Sequence, residues 1–288
     1  MWLIDLLDRY GSMTRANINR HWMRSPLSDG NPLPERTFFH YRRGIEEVFN
    51  IDIACNRDGE YYIAGNDSAR HRRLTDMLLD SYTVNSTLAA APEVSARIEV
   101  EDVPSARHFL PRVVDAIRDA ECISFTYAGF NRSRAESGII LHPYFLKRYK
   151  QRWYVAGLRE HDNSLRTYAL DRISEMHPLD RHFEMPPSPT LDDLFGEIVG
   201  VTSSHGRTYD VEIQATPMQA KYLRALPLHA SQKELPSDGD PVFAYRLKLN
   251  YELVHELMAM GDGVKVLAPK ELRIMIMEEL RKTLDRYL

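Results

Sequence analysis

Apolar residues recur at three- and four-residue intervals through the first fifty positions, and that period predicts helices. Leu3, Leu6, Leu7 and Tyr10 mark an amphipathic helix over Trp2–Tyr10, ended by Gly11 and Ser12. Thr14 is placed to cap a second helix running to about Arg24, with Ile18 and Trp22 inward. Pro26, Gly30, Pro32 and Pro34 make residues 25–34 a loop. A third helix is expected over Glu35–Phe49, buried along Phe38, Ile45 and Phe49 with Tyr41 or Arg42 between them. Ile51–Cys55 and Glu60–Ala64 then alternate as strands about Arg57-Asp58-Gly59, and Asp-Gly is a strong hairpin signal. Three helices followed by a hairpin predict a winged helix-turn-helix.

Further along, Leu74, Met77, Leu78 and Tyr82 predict a connecting helix that ends near Ala89-Ala90-Ala91-Pro92. A helix over Ala106–Ala120 turns Phe109, Val113, Val114 and Ile117 inward, with Pro111 tolerated near its start. Strands are expected at Glu121–Tyr127, Ile139–Leu146, Arg152–Leu158, Leu165–Leu170 and Ile173–Leu179. Five short strands after a helix predict a small, strongly bent barrel of the SH3 or Sm type. Pro186–Ser204 reads as a linker with one short helix around Leu191–Phe195.

The last segment alternates strand Tyr209–Ala215, helix Pro217–Ala225, strands Ala230–Leu235 and Val242–Leu249, helix Glu252–Met260 and strand Gly263–Leu267. That βαββαβ order is ferredoxin-like. A terminal helix from Pro269 carries Leu272, Met275, Ile276, Leu280 and Leu284 as a core stripe or a dimer seam. The fold class is therefore α+β multidomain. The expected boundaries are a winged helix-turn-helix at 1–65, a helical linker at 66–105, a small β-barrel domain at 106–182, a linker at 183–208 and a ferredoxin-like domain at 209–288.

Composition changes this picture little. A length of 288 residues agrees with two or three domains. No apolar run approaches the roughly 20 residues that span a bilayer, and the start lacks the pattern of a secretory leader. Two cysteines, Cys55 and Cys122, are too few for a disulfide framework or a cysteine zinc cluster, which fits a reducing cytoplasm.

Charge matters more through its placement. The net charge is −4, yet Arg9 to Arg43 holds seven arginines against Asp29 and Glu35, a local excess of +5. Such a patch either meets phosphates or is a solvated arginine-rich surface. On the third helix, Arg36, Thr37, His40 and Arg43 lie opposite the buried stripe, as a recognition helix requires. Arginine matches the paired acceptors of guanine, and Arg57 at the hairpin tip reaches for the neighbouring groove or backbone. A winged helix used only for protein contact is the alternative.

No phosphate-binding loop, dinucleotide fingerprint, nucleophile elbow or His-Glu-x-x-His motif is present, so no catalytic residue, cofactor or metal is expected. His255-Glu256 lacks a second histidine at ligand spacing. The stretch from Leu141 to Ile173 suits binding instead. His142 and Tyr144 share a strand face, as do Arg166 and Tyr168. With Tyr127, Tyr154 and Arg172 they offer guanidinium forks for phosphate or carboxylate, and tyrosine faces for stacking. Trp153 is read as core. Arg166 and Arg172 either line this site or pair with Asp171 or Glu175.

These residues also carry a resemblance. Trp153-Tyr154-Val155, with His142-Pro143-Tyr144 before it and Arg166 to Ile173 after it, resembles the WYL domain of bacterial transcriptional regulators. Val155 stands where the family's name has leucine. Ile123 to Tyr127 resembles the family's first strand. Leu228 to Gln232 and Ala268 to Arg273 resemble the C-terminal extension that accompanies WYL domains. The resemblance implies a cytoplasmic, ligand-responsive regulator that binds a double-stranded DNA operator and senses a nucleotide, oligonucleotide or other anionic ligand. A homodimer is expected, because two recognition helices then meet half-sites about 34 Å apart. The alternative is a nucleic-acid-binding accessory protein with no specific operator.

Overall fold

In the computed structural model the described residues are 2–25, 27–49, 51–64, 76–78, 80–81, 83–84, 88, 92–99, 106, 108–130, 133–202 and 206–288. They form two compact units, Met1–Glu101 and Asp102–Leu288. Both mix helices with antiparallel sheets. Among the described residues no helix is long and apolar enough to cross a membrane.

In the first unit α1 (Trp2–Tyr10), β1 (Ser12–Thr14), α2 (Arg15–Met23), α3 (Glu35–Phe49), β2 (Asp52–Cys55) and β3 (Glu60–Ala64) follow one another. The Thr14 hydroxyl accepts from the Asn17 N–H at 3.4 Å, so the expected cap is made. Residues 12–14 do more than break a helix. They pair along β3, which is thereby the middle strand of a three-stranded sheet. Leu3, Ile4 and Leu7 of α1 pack with Ile18, Phe38, Ile45 and Ile53. Arg42, not Tyr41, fills the gap in the buried stripe of α3, where it bonds Glu46 at 2.9 Å while Tyr41 faces out.

Of the connecting helix, Met77 and Leu78 are helical, whereas Leu74, Tyr82 and the Arg70–Arg73 run lie outside the described residues. A 3₁₀ turn spans Pro92–Arg97.

The second unit opens with α4 (Leu110–Arg118), shorter than the expected 106–120 because Pro111 sits in its first turn. Val113 and Ala116 face the core, and Val114, rotated about 100° further, is 46% exposed rather than inward. Then come β4 (Glu121–Tyr127), β5 (Glu136–Tyr149), β6 (Arg152–Arg159), β7 (Ser164–Ala169), a 3₁₀ turn (Leu170–Arg172) and β8 (Ile173–His182). They make one antiparallel sheet in the order β7-β6-β5-β4-β8, and among the described residues no ladder joins its edge strands β7 and β8.

Ile123, Phe125, Leu141, Val155, Leu170 and Met176 pack with Val113 of α4 on one face of this sheet. Trp153 lies half-buried against them. At Gly157 the strands approach so closely that a Cβ would stand 2.0 Å from the His142 carbonyl oxygen.

After β8, residues 183–190 are mostly exposed, and the short helix expected in this linker is present. Leu194 and Phe195 of α5 (Leu191–Phe195) and Ile198 bury against Ala156 and Phe145. Then β9 (Thr208–Ala215), α6 (Pro217–Ala225), β10 (Lys233–Leu235), β11 (Val242–Lys248), α7 (Tyr251–Ala259) and β12 (Val264–Ala268) take the strand order β10-β11-β9-β12. β10 is shorter than expected because 229–232 form a turn, with the Gln232 N–H donating to the His229 carbonyl at 3.0 Å.

The terminal helix α8 (Lys270–Leu284) divides along its length. Leu272 is fully buried and Met275 and Ile276 pack on the core, but Leu280 and Leu284 are 52% and 56% exposed. A 15-residue helix runs about 22 Å, and only its N-terminal half is packed on the core.

Candidate ligand cavity and nucleic-acid face

A cavity of about 890 Å³ lies in the second unit against β6 and β7. The β6–β7 register sets Tyr168 opposite Val155 and Arg166 opposite Gly157, and the 3₁₀ turn after β7 presents Arg172. Five of the seven residues expected at a ligand site line this cavity: Tyr127, Tyr154, Arg166, Tyr168 and Arg172.

The tyrosines are held by packing. Tyr168 meets Tyr127 and Phe125 edge-on, with centroids 4.9 and 5.1 Å apart. Burial pushes the Tyr154 and Tyr168 phenols above their ordinary values, so both stay neutral hydroxyls at physiological pH.

The arginines differ in how far they are neutralised. Arg166 is exposed and bonds Asp162 at 2.9 Å. Asp171 pairs with Arg152 and Glu175 accepts from the Thr126 hydroxyl at 2.9 Å, and among the described residues neither forms an ion pair with Arg172. The guanidinium carbon of Arg172 lies 3.2 Å from the Phe130 ring centroid. Arg159, which sequence reasoning passed over, also lines the cavity, pairs with Glu136 and is only 13% exposed.

Among the described residues, three enclosed side-chain nitrogen or oxygen atoms have no hydrogen-bond partner: Arg159 Nε, Arg172 Nε and Glu252 Oε2. All three belong to residues of this cavity. Leaving such a group unpaired costs about 1–3 kcal/mol, more when it is charged.

The opposite wall comes from 201–202 and the start of α7. Glu252 Oε1 accepts from the N–H groups of Val201 and Thr202 at 3.2 and 2.9 Å and from the Thr202 hydroxyl at 2.7 Å. Asn250 Nδ2 donates to the Val199 carbonyl at 2.7 Å. Beneath the wall Lys147 donates to the Gly200 carbonyl and lies 4.4 Å from the Phe195 ring centroid.

Burial lowers the Lys147 amine to about 8, against a partial upward pull from Glu252. The unfolded chain binds more protons than the folded one between that value and the ordinary lysine range near 10.5. The contribution of Lys147 to stability therefore rises with pH across this window and is least favourable below about pH 8. Urea unfolding at pH 7, 8.5 and 10 should show wild type gaining on Lys147→Met by on the order of 1–3 kcal/mol as pH rises. A constant difference between the two would refute the assigned shift.

His142 and Tyr144 are not brought into the cavity. They project from the face of β5 opposite Leu141, whose side chain enters the core. There His142 Nε2 contacts Glu160 Oε1 at 2.9 Å and its ring stacks on Phe183, while Tyr144 is buried against the same phenylalanine. Among the described residues one group of metal-type ligands converges, Cys122, His142 and Glu160, and none of them lines the cavity.

In the first unit, Arg36, His40 and Arg43 are exposed along α3, and Thr37 is partly so. Arg57 is exposed at the tip of the β2–β3 hairpin. Asn56 Oδ1 ties that tip by accepting from the N–H groups of Asp58 and Glu60 at 3.0 and 2.9 Å, and Gly59 takes the positive φ of 74° that the turn needs. Glu35 forms an ion pair with Arg15 at 3.7 Å, and Glu46 one with Arg42 at 2.9 Å.

Comparison with known proteins finds the WYL domain over residues 108–178 and the WCX domain over residues 207–284. No curated protein matches the sequence. Among solved structures the chain is similar to proteasome accessory factor B/C (PafBC) of Arthrobacter aurescens, with 21% identity over 87% of this chain and 40% of that one and a TM-score of 0.31. It thus spans well under half of that protein's length. It is also similar to a CRISPR Cas-related protein, with 13% identity over 89% of this chain and 74% of that one and a TM-score of 0.41.

Proposed function

For a chain that carries a WYL domain followed by a WCX domain, and so belongs among the WYL-domain proteins, we propose the function of a ligand-responsive DNA-binding transcriptional regulator. In this reading α1–α3 with the β2–β3 hairpin are a winged helix that binds operator DNA as a homodimer. The β4–β8 sheet is an Sm- or SH3-type sensor, and β9–β12 with their helices are a ferredoxin-like extension. The protein works by binding and not by catalysis.

The observation that carries the sensor is the pair of enclosed, unpartnered guanidinium nitrogens, Arg159 Nε and Arg172 Nε, at a tyrosine-lined cavity. Donors of that kind suit a phosphate or carboxylate, and the aromatic rings suit a base. A cavity of about 890 Å³ has the size of sites that hold small molecules. It suits a nucleotide or the end of an oligonucleotide and is too small for a duplex. Binding regulates only if the ligand favours one of two states of the protein.

The probes are nucleoside monophosphates and short 5′-phosphorylated single strands, titrated by calorimetry and added to operator-binding assays. Arg172→Ala should bind the responsive probe about 10- to 100-fold more weakly, the loss expected of one or two charge-assisted hydrogen bonds, while keeping operator affinity. A variant that responds like wild type would place the sensor elsewhere. Genome-wide occupancy tests the regulator itself: a few sharp sites support it, and diffuse occupancy supports the accessory protein instead.

A further inference from the structure

We propose that Cys122, His142 and Glu160 form a binding site for one divalent transition-metal ion of the zinc type, on the face of the β4–β8 sheet opposite Leu141 and apart from the residues that line the cavity. The Cys122 sulfur, a ring nitrogen of His142 and a carboxylate oxygen of Glu160 all lie within 4.8 Å of one another. Around a tetrahedral zinc ion such atoms stand about 3.3–3.7 Å apart, so side-chain rotations of about 1 Å complete the set.

The backbone beneath is fixed. Ile123 pairs with Leu141 and Leu141 with Arg159, which sets Cys122 and His142 on adjacent strands, and the Glu160 N–H donates to the Ile140 carbonyl at 3.1 Å. The Phe183 ring, stacked on His142 at 5.1 Å and 12°, fixes the imidazole plane.

Thiolate, imidazole and carboxylate together suit zinc and its neighbours better than magnesium or calcium, and three protein ligands leave a fourth position for water. The competitor is Arg181, which bonds Glu160 Oε1 at 2.6 Å. Its side chain is 55% exposed, so it can leave for solvent when a cation arrives. The three ligands are too widely spaced in the chain to form a recognisable metal motif.

The test titrates cobalt(II) into the full-length, reduced, chelator-stripped chain. One equivalent should bind and produce a near-ultraviolet sulfur-to-metal charge-transfer band. Cys122→Ser should abolish the band, and His142→Ala and Glu160→Gln should each weaken binding by more than about 100-fold, since even outer-shell partners are worth 10- to 100-fold. Cys55→Ser should change nothing. Zinc should also raise the wild-type melting temperature, and a chelator should reverse it, which keeps the test decisive if a variant misfolds. Absence of stoichiometric binding at micromolar metal, or a band that follows Cys55, overturns the proposal.

Discussion

Gly157→Ala should destabilise the second unit by on the order of 3 kcal/mol or more, a large fraction of the 5–15 kcal/mol typical of a folded domain. The added Cβ would stand 2.0 Å from the His142 carbonyl oxygen and 3.1 Å from the Pro143 Cα. These are backbone atoms, so no side chain can turn aside to make room. Relief requires β5 and β6 to separate where their register already shifts, between Pro143 and Phe145. Because β6 carries Tyr154 and Arg159, the same movement should disorder the cavity. Gly129→Ala is the control. Its nearest neighbours would be Tyr127 ring atoms at 3.6 and 3.8 Å, ordinary contact, so it should shift stability by no more than about 0.5 kcal/mol. Urea unfolding of both variants measures this. Equal midpoints would show that β5 and β6 do not approach as described.

Arg36→Ala combined with Arg43→Ala should weaken operator binding by about 100-fold or more. Each bidentate arginine–guanine contact is worth about 1–3 kcal/mol of discrimination, and tenfold in affinity is about 1.4 kcal/mol. Both side chains are exposed, so the thermal stability of the unit should stay close to wild type. Mobility shifts at several salt concentrations separate the possible roles. Loss of sequence preference marks base contacts. A salt slope lowered by about 0.9 per residue, with preference kept, marks phosphate contacts. Unchanged affinity would remove α3 from the DNA interface.

Much of the architecture was legible in the chain. α3 and β4 have the predicted bounds. Pro111 in the first turn was a local signal for the shorter α4, whereas which residues of α8 stay exposed depends on the elements packed against it. The pairing of β1 with β3 was missed. Three residues are too few to show a period, and Met13 in their middle pairs with Tyr61, 48 positions away.

For the cavity, residue types alone marked Tyr127, Tyr154, Arg166, Tyr168 and Arg172, because guanidinium and phenol groups cluster on short strands. Alternation in a strand tells which side chains share a face, not which face meets a cavity and which meets another element. His142 and Tyr144 share a face as expected, but Phe183 covers it. Arg159 carried a usable signal, since it falls two residues after Gly157 on the side that faces Arg166. Tyr251 and Glu252 carried none, because only folding brings α7 to the WYL segment.

The sequence by itself determined the elements, their order and the chemistry available, since period, breakers and side-chain type are local properties. Only the tertiary structure decided which groups meet. It set Arg159 Nε, Arg172 Nε and Glu252 Oε2 at one cavity, turned His142 towards Cys122 and Glu160, and left no room for a Cβ at Gly157. Those outcomes depend on register, bulges and contacts across many residues, which no local pattern encodes.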